Sequence, residues 1–392
     1  MMEEMGELYF KNAYITRFES EVVSCTEGKK GLYEIVLKDT AFYPESGGQP
    51  ADHGVLVCDG VTVNVVDAKR VNGEVVHITD GSLSIGSCVS GEINWERRFD
   101  HMQNHCGEHI VSGLIHQHFG YENVGFHMGE VLTLDFSGPL TEEDLLMIET
   151  EANEVIYKNV PVEILYPERS ELDTIEYRSK KELTGKVRLV RIPDVDLCAC
   201  CGTHVRNTGE IGLIQLLSLE KHKNGSRVTM LAGKRALLDV QKKQAAVHKI
   251  SVALSAKPYE VDTAVERLKE AYVKSDFSKH EVVRRMLKKK AQEIEETKDT
   301  IVLFEEDIDR DDARLYAKDV LETGKCHTAA VFVLNSERPE DTAYVIVSDT
   351  LNLRDFAKEM NTALSGRGGG KEDMIQGTVS VSKEEIEKYF NS

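Results

Sequence analysis

The sequence predicts an α+β protein in four parts: an N-terminal β-barrel-like domain (residues 1–92), an α+β domain with a metal site (93–234), a helical arm or coiled coil (235–303) and a small C-terminal α/β domain (304–392). Three observations predict it. The first part alternates apolar and polar residues in short runs broken by turn residues. The second switches between helical and strand spacing. The third is polar and charged with apolar residues at helical spacing, and it gives way to near-continuous apolar runs that suit buried strands.

Composition sets the limits. A chain of 392 residues exceeds one ordinary core. With 41% hydrophobic and 29% charged residues it has a globular balance. No apolar run approaches the ~20 residues of a membrane helix, and the acidic start MMEEMGELYF does not read as a secretory signal. A cytoplasmic location and no membrane partner are expected. Three of the eight cysteines crowd together as Cys198, Cys200 and Cys201, which in a reducing compartment reads as metal-binding or reactive, not crosslinked. The formal net charge of −19 opposes a nucleic-acid partner. The run Arg284, Arg285, Lys288, Lys289, Lys290 is a local exception, either a phosphate contact or a solvated helix face.

In the first part, TRFESEVVSC, GLYEIVLKDT and VTVNVVDAKRV read as strands, with turn signals at Asn72-Gly73 and Asp80-Gly81. Tyr43-Pro44-Glu45-Ser46-Gly47-Gly48-Gln49-Pro50 is a loop. Ile110, Leu114 and Ile115 place a helix over 95–119, stopped by Gly120. Thr141 caps a second helix to 159, with Glu142, Glu143 and Asp144 where the helix dipole favours acids. KVRLVRIP and GEIGLIQLLSLEK are strand-like. In the arm, Val240, Val247 and Leu254 are seven apart, and Val283, Leu287, Ile294 and Ile301 continue an apolar stripe. Pro258 divides it into two helices. One chain cannot easily bury that stripe, so a homodimer is expected. TAAVFVL and TAYVIVSD are strands, a helix follows near 353–364, and Gly366-Arg367-Gly368-Gly369-Gly370-Lys371 reads as a loop.

The strongest chemistry is His105-Cys106-Gly107-Glu108-His109. Two histidines four apart share one helix face, within reach of one ion. Cys200-Cys201-Gly202-Thr203-His204 adds a thiolate and an imidazole in a turn. Nitrogen and sulfur donors in that mix favour zinc. On spacing alone the helical pair could instead be His101 and His105, and Cys198 with Cys201 forms a competing CxxC. A helix-face histidine is also commonly just a polar surface residue.

HCGEHIVSG and CCGTHVRNTGEIG resemble the HxxxH and CxxxH motifs of alanyl-tRNA synthetase editing domains and their free-standing AlaX relatives. YPESGGQPADHG is similar to the Gly-rich segment ahead of that domain, and SGRGGGKEDMIQG to the Gly-rich motif of the DHHA1 domain. Four motifs in one order cover most of the chain and suggest an AlaX of the long form. The resemblance implies one zinc per chain, with His105, His109, Cys200 and His204 on the four metal positions. It implies an aminoacyl-tRNA deacylase acting in trans on tRNA(Ala) mischarged with serine, or with glycine. Nucleotide and ATP binding come with the same resemblance. The extra Cys198 and Cys201 depart from the pattern, as does Glu108 beside the second histidine.

Hydrolysis of an ester needs a placed water and donors for the developing oxyanion. Candidates for catalysis or for reading a serine hydroxyl are Glu108, Gln49, His127, Thr133 and Asp135. Glu108 could orient water or simply face solvent, and Asp135 could only cap a strand end. Gly47 and Gly48 suit close approach of a tRNA end, or only a tight turn. Arg367, Gly368, Gly369, Gly370 and Lys371 offer amides beside cations for phosphate. Two alternatives are a tRNA-binding module with structural zinc, and another metal-dependent hydrolase such as a phosphoesterase. The latter favours Asp-rich oxygen sites.

Overall fold

Period-two alternation in the first part closes on itself. The computed structural model describes residues 6–172, 174–179, 187–295, 297–335 and 341–391, and it divides into two compact units, residues 1–246 and 247–392. In the first unit a short helix α1 (Leu8–Lys11) precedes β1 (Arg17–Glu27), β2 (Tyr33–Leu37), β3 (Gly54–Cys58), β4 (Val61–Val71), β5 (Glu74–Thr79) and β6 (Cys88–Ile93). These six form a closed barrel in the order β1-β2-β5-β4-β3-β6. Asn72 and Gly73, both at positive φ, turn β4 into β5, as the twist of a hairpin demands. The inward set, including Phe18, Val22, Ile35, Leu56, Val63 and Val89, makes one apolar core.

Helix α2 (Trp95–Phe119) begins with the Asn94 side chain accepting from the Arg97 amide and ends at Gly120 in the left-handed conformation. Every residue from His101 to Ile115 is buried. One face packs with β7 (Asn123–Met128), β8 (Leu132–Phe136), β12 (Ile214–His222) and β13 (Gly225–Ala232), a sheet ordered β12-β13-β8-β7. Helix α3 (Glu142–Lys158) carries a complete capping box between Thr141 and Asp144 and buries Leu145, Ile148, Ala152 and Val155 in the same core. A second sheet, β11 (Asp196–Ala199), β10 (Leu189–Ile192), β9 (Glu163–Leu165), brings the cysteine-rich turn to α2, and a single helical turn α4 (Arg169–Leu172) lies between β9 and β10.

Arg98 fastens the barrel to α2. Its side chain is wholly buried, pairs with Asp52, and donates to the carbonyls of Ala13 and Ala41, the latter at 2.6 Å. A buried guanidinium needs all of these partners, because an unpaired charge in the interior is very costly.

Helix α5 (Gly233–Leu254) and helix α6 (Val261–Glu293) are separate, with Pro258 opening the 3₁₀ turn between them. The apolar stripe expected to run through Ile301 ends earlier. Ile294 is extended, and Ile301 lies in strand β14 (Thr300–Glu306), paired in parallel with β15 (Thr328–Leu334). Non-local pairing overrides helical spacing here. The sheet continues through β16 (Thr342–Ser348) and β18 (Met374–Val379) to β17 (Arg367–Gly370), in the order β14-β15-β16-β18-β17. The glycine-rich stretch expected as a loop is therefore an exposed edge strand, held by β18 and by Asn361 donating to the Gly368 carbonyl. Alternate residues of β15 serve two cores. Ala329 and Val331 pack with α6 and α7 (Arg310–Glu322), while Ala330 and Phe332 pack with α8 (Leu353–Ala363) and α9 (Lys383–Asn391). No helix among the described residues is long and apolar enough to cross a membrane.

Candidate metal centre

One face of α2 presents His105 and His109 one turn apart, and the turn after β11 lays Cys200 and His204 against them. One donor atom from each of the four lies within 4.8 Å of the others. Cys200 Sγ is 3.5 Å from His105 Nε2 and 3.4 Å from His204 Nε2, and the Gly202 amide donates to the same sulfur at 3.2 Å. His105 and His109 are oriented from behind. His105 Nδ1 is 2.8 Å from Gln49 Oε1, and His109 Nδ1 is 2.8 Å from Asp196 Oδ2. Both rings thereby turn Nε2 inward, the arrangement in which an outer acceptor fixes the tautomer of a metal-binding imidazole. His204 Nδ1 has no partner.

The electrostatics agree with a cation-binding pocket. Burial pushes the Cys200 thiol up, but His105, His204 and His109 outweigh it and hold the group well below its ordinary value. Burial pushes His109 down, yet Cys200 and Asp196 bring it well above the usual imidazole range. Burial lowers His204 to about 3, against the pull of Cys200. A soft divalent ion requires the thiolate and neutral imidazoles, so its binding would displace the proton that Cys200 and Asp196 favour on His109. The donor set thus fits a metal ion, and softness points within that set to a thiolate-tolerant one.

His101 and Cys201 stay out of the cluster. Cys198 is buried beside it and belongs to a neighbouring group with His109 and Asp196. Its thiol is pushed up to about 11, chiefly by burial. Glu108 does not face solvent. It is buried, accepts from Ser112 and Asn123 at 2.8 and 2.6 Å, and brings its other oxygen to 3.9 Å from His109 Nε2. Gln49 is fully buried and also donates to Thr203 Oγ1 at 2.8 Å.

Three other candidates lie elsewhere. Leu132, Leu134 and Phe136 face the core with α2, so Thr133 and Asp135 point to the opposite face of the sheet, with the exposed His127 across from Thr133. Asp135 is bound by Arg227 through two contacts of 2.6 and 2.8 Å, which lowers its pKa. Gly48 is explained by packing: at φ +86 its missing Cβ would meet Phe126 at 2.6 Å, and Phe126 stacks on His105. Nothing comes within 4 Å of a Cβ at Gly47. In the second unit Arg284, Arg285 and Lys288 are exposed, but Lys289 pairs with Glu293 and Lys290 with Glu305. Arg367 to Lys371 are all solvent-facing.

Residues to which the sequence assigns no role complete the site, Thr203 among them although it lies inside the second motif. Asp196 and Thr203 orient His109 and Gln49, Asn123 holds Glu108, and Arg178 bridges to Asp196 at 2.7 Å. Only Asp196 carries any signal, its position two before Cys198 in the same strand.

Three segments match described families: residues 7–97 match "tRNA synthetases class II (A)", 187–229 match "Threonyl and Alanyl tRNA synthetase second additional domain", and 297–391 match "DHHA1 domain". The chain is 30% identical to the alanyl-tRNA editing protein AlaX-L of Pyrococcus horikoshii, over 97% of this chain and 96% of that protein. It belongs to the alanyl-tRNA editing proteins of the AlaX-L type. Within that family it is also 28% identical to Aarsd1 of Danio rerio, over 96% and 95% of the two chains. The alanine–tRNA ligase of Pyrococcus abyssi is 30% identical over 98% of this chain but only 43% of its own length.

Proposed function

We propose that the protein is a trans-editing deacylase that hydrolyses the aminoacyl ester of tRNA(Ala) mischarged with serine, or with glycine. The observation that carries this is the buried His105–His109–Cys200–His204 cluster, with its outer shell, in a chain of the AlaX-L family. The four residues would hold one zinc ion, which when bound would polarise or position groups at the ester. The chain's own residues do the rest. Gln49 and Asp196 keep the two helix imidazoles turned inward. Glu108, buried and held by Ser112 and Asn123, is placed to take or return a proton beside His109.

Discrimination of serine from alanine follows from unpaired polar capacity. Gln49 accepts from the Thr203 amide and donates once to Thr203 Oγ1, leaving a second N–H. That N–H and the Thr203 hydroxyl are suited to a serine hydroxyl. A site that hydrogen-bonds a hydroxyl rejects the analogue without it by about 10⁴ or more. The exposed Arg284, Arg285 and Lys288, with Arg367, Lys371 and the Gly368–Gly370 edge amides, serve as backbone contacts for tRNA in an otherwise acidic chain.

The test is deacylation of seryl-tRNA(Ala) and glycyl-tRNA(Ala) beside alanyl-tRNA(Ala). Release of serine or glycine with alanine spared is expected. Equal stability of all three esters with metal-loaded protein refutes the reading.

A further inference from the structure

We propose that Arg97 and His101 form a phosphate subsite on α2, which receives the sugar–phosphate backbone of the terminal nucleotide while its acylated ribose reaches the histidine–cysteine cluster. The proposal rests on the editing reading for its ligand, and on geometry for its place. Positions 97, 101, 105 and 109 repeat every four residues and share one face of α2. At ~1.5 Å per residue, His101 lies about 6 Å and Arg97 about 12 Å before His105 along the helix axis. The terminal nucleotide's own 5′ phosphodiester and the one before it along the strand cover that span.

The charge around this face lacks its counterpart. His101 is only 2% exposed, and its Nδ1 has no hydrogen-bond partner. Burial, then the basic groups Arg97, Arg235, Arg98 and His53, lower its pKa to about 3, so the ring is neutral among cations. The acids that act on Arg97, namely Asp52, Asp100 and Asp67, are already engaged, Asp67 by Lys69 at 3.0 Å. Asp52 is taken by Arg98, and Asp100 by Arg235 through bonds of 2.6–3.0 Å. Arg98 spends its remaining donors on Ala13 and Ala41, and Arg235 on the carbonyls of Gly129 and Glu130.

Arg97 differs from both. Its Nε donates to the Ala51 carbonyl at 2.9 Å, and among the described residues no carboxylate lies within ion-pair distance of it. The half-buried guanidinium thus keeps its two terminal nitrogens for an outside acceptor. Its fork matches a phosphodiester in shape and charge. A partly desolvated cation without a counter-ion is unfavourable alone and complementary to an incoming anion. The Ala51 contact sets it directly after the Gly47–Gln49 loop, whose Gln49 touches His105.

The experiment uses the full chain and the trinucleotide CCA, the shared 3′ end of tRNAs, with either natural linkages or neutral methylphosphonates. Binding is measured by calorimetry across a salt series. The wild-type protein should bind the natural trinucleotide about tenfold more tightly than the neutral one. Arg97→Gln should abolish that preference, and Arg97→Lys should restore part of it. The salt slope should fall by about 0.7 for each phosphate that is no longer neutralised. A wild-type protein that binds both probes equally overturns the subsite, and so does an Arg97→Gln variant that keeps the full preference. Seryl-tRNA(Ala) hydrolysis is measured on the same preparations. Hydrolysis without phosphate preference overturns the subsite alone, whereas phosphate preference without hydrolysis overturns the editing reading and supports the subsite.

Discussion

Alanine at position 202 should strip metal from the centre while leaving the protein folded. The added Cβ would sit 2.1 Å from Cε1 and 2.3 Å from Nδ1 of His105, and 3.1 Å from Gln49 Oε1. Carbon atoms pack at ~3.5 Å or more, so the imidazole must retreat by roughly 1.4 Å. Metal–ligand distances tolerate only ~0.2 Å. The same retreat breaks the 2.8 Å bond from Nδ1 to Gln49. Loss of an outer-shell partner alone weakens metal binding by about 10–100-fold, and displacement of the ring itself should bring the total to at least the upper end. Overpacking costs about 1–3 kcal/mol, which a chain with several cores survives. Metal content after dialysis and competition with a chromogenic chelator measure the effect, with circular dichroism as the folding control. A Gly202→Ala protein that keeps one ion at wild-type affinity would show that His105 is not a ligand.

Asp196→Asn should lower metal affinity by about 10–100-fold by weakening the acceptor behind His109, and an unchanged chelator midpoint counts against the outer-shell role. His77, fully buried between Thr40 and the Ile35 carbonyl, is lowered by burial from 6.5 to about 4. The unfolded chain therefore takes up this proton first, and stability is complete above pH 6.5 and lost as pH falls towards 4. The loss is about 3 kcal/mol; urea midpoints against pH should be flatter for His77→Gln, and parallel curves would refute the assignment. Helix α6 exposes Leu268, Tyr272, Val273 and Phe277 at 57, 70, 62 and 65%, so light scattering should give about twice the 43.9 kDa chain mass; a monomer at micromolar concentration would mean this stripe stays in water. A chain ending at 246, the limit of the first unit, should still cleave seryl-tRNA(Ala) but with higher KM and a shallower salt slope; unchanged values would deny the second unit a role in tRNA affinity.

Where local rules decide, the sequence is readable. Asn94, Thr141 and Gly120 mark helix ends by side-chain capping and by positive φ, and Pro258 breaks the arm. The four clustered side chains are legible through a helical repeat and a family likeness. Ile301 misleads because its parallel pairing with Ala329 is set across the sequence, not along it. The 366–371 stretch has four glycines among its six residues, so its pairing with β18 leaves no alternation of side chains to read. Thr133 and Asp135 attract attention as polar residues near the motif, although alternation with Leu132, Leu134 and Phe136 already excludes them from the core side. Asp196 and Thr203 act through partners far away in sequence, and beyond the nearness of Asp196 to Cys198 no local signal reports that.

The Arg98–Asp52 pair bears on how such proteins can be shortened or recombined. An exchange of the first ninety or so residues for an unrelated module would leave a guanidinium sealed in the interior with no acid and no carbonyls to meet it. It would also take Gln49 from behind His105. The barrel is therefore not a detachable cassette but a part of the same packed unit as α2, inherited with it or not at all. Any smaller descendant must first replace Arg98 with something neutral.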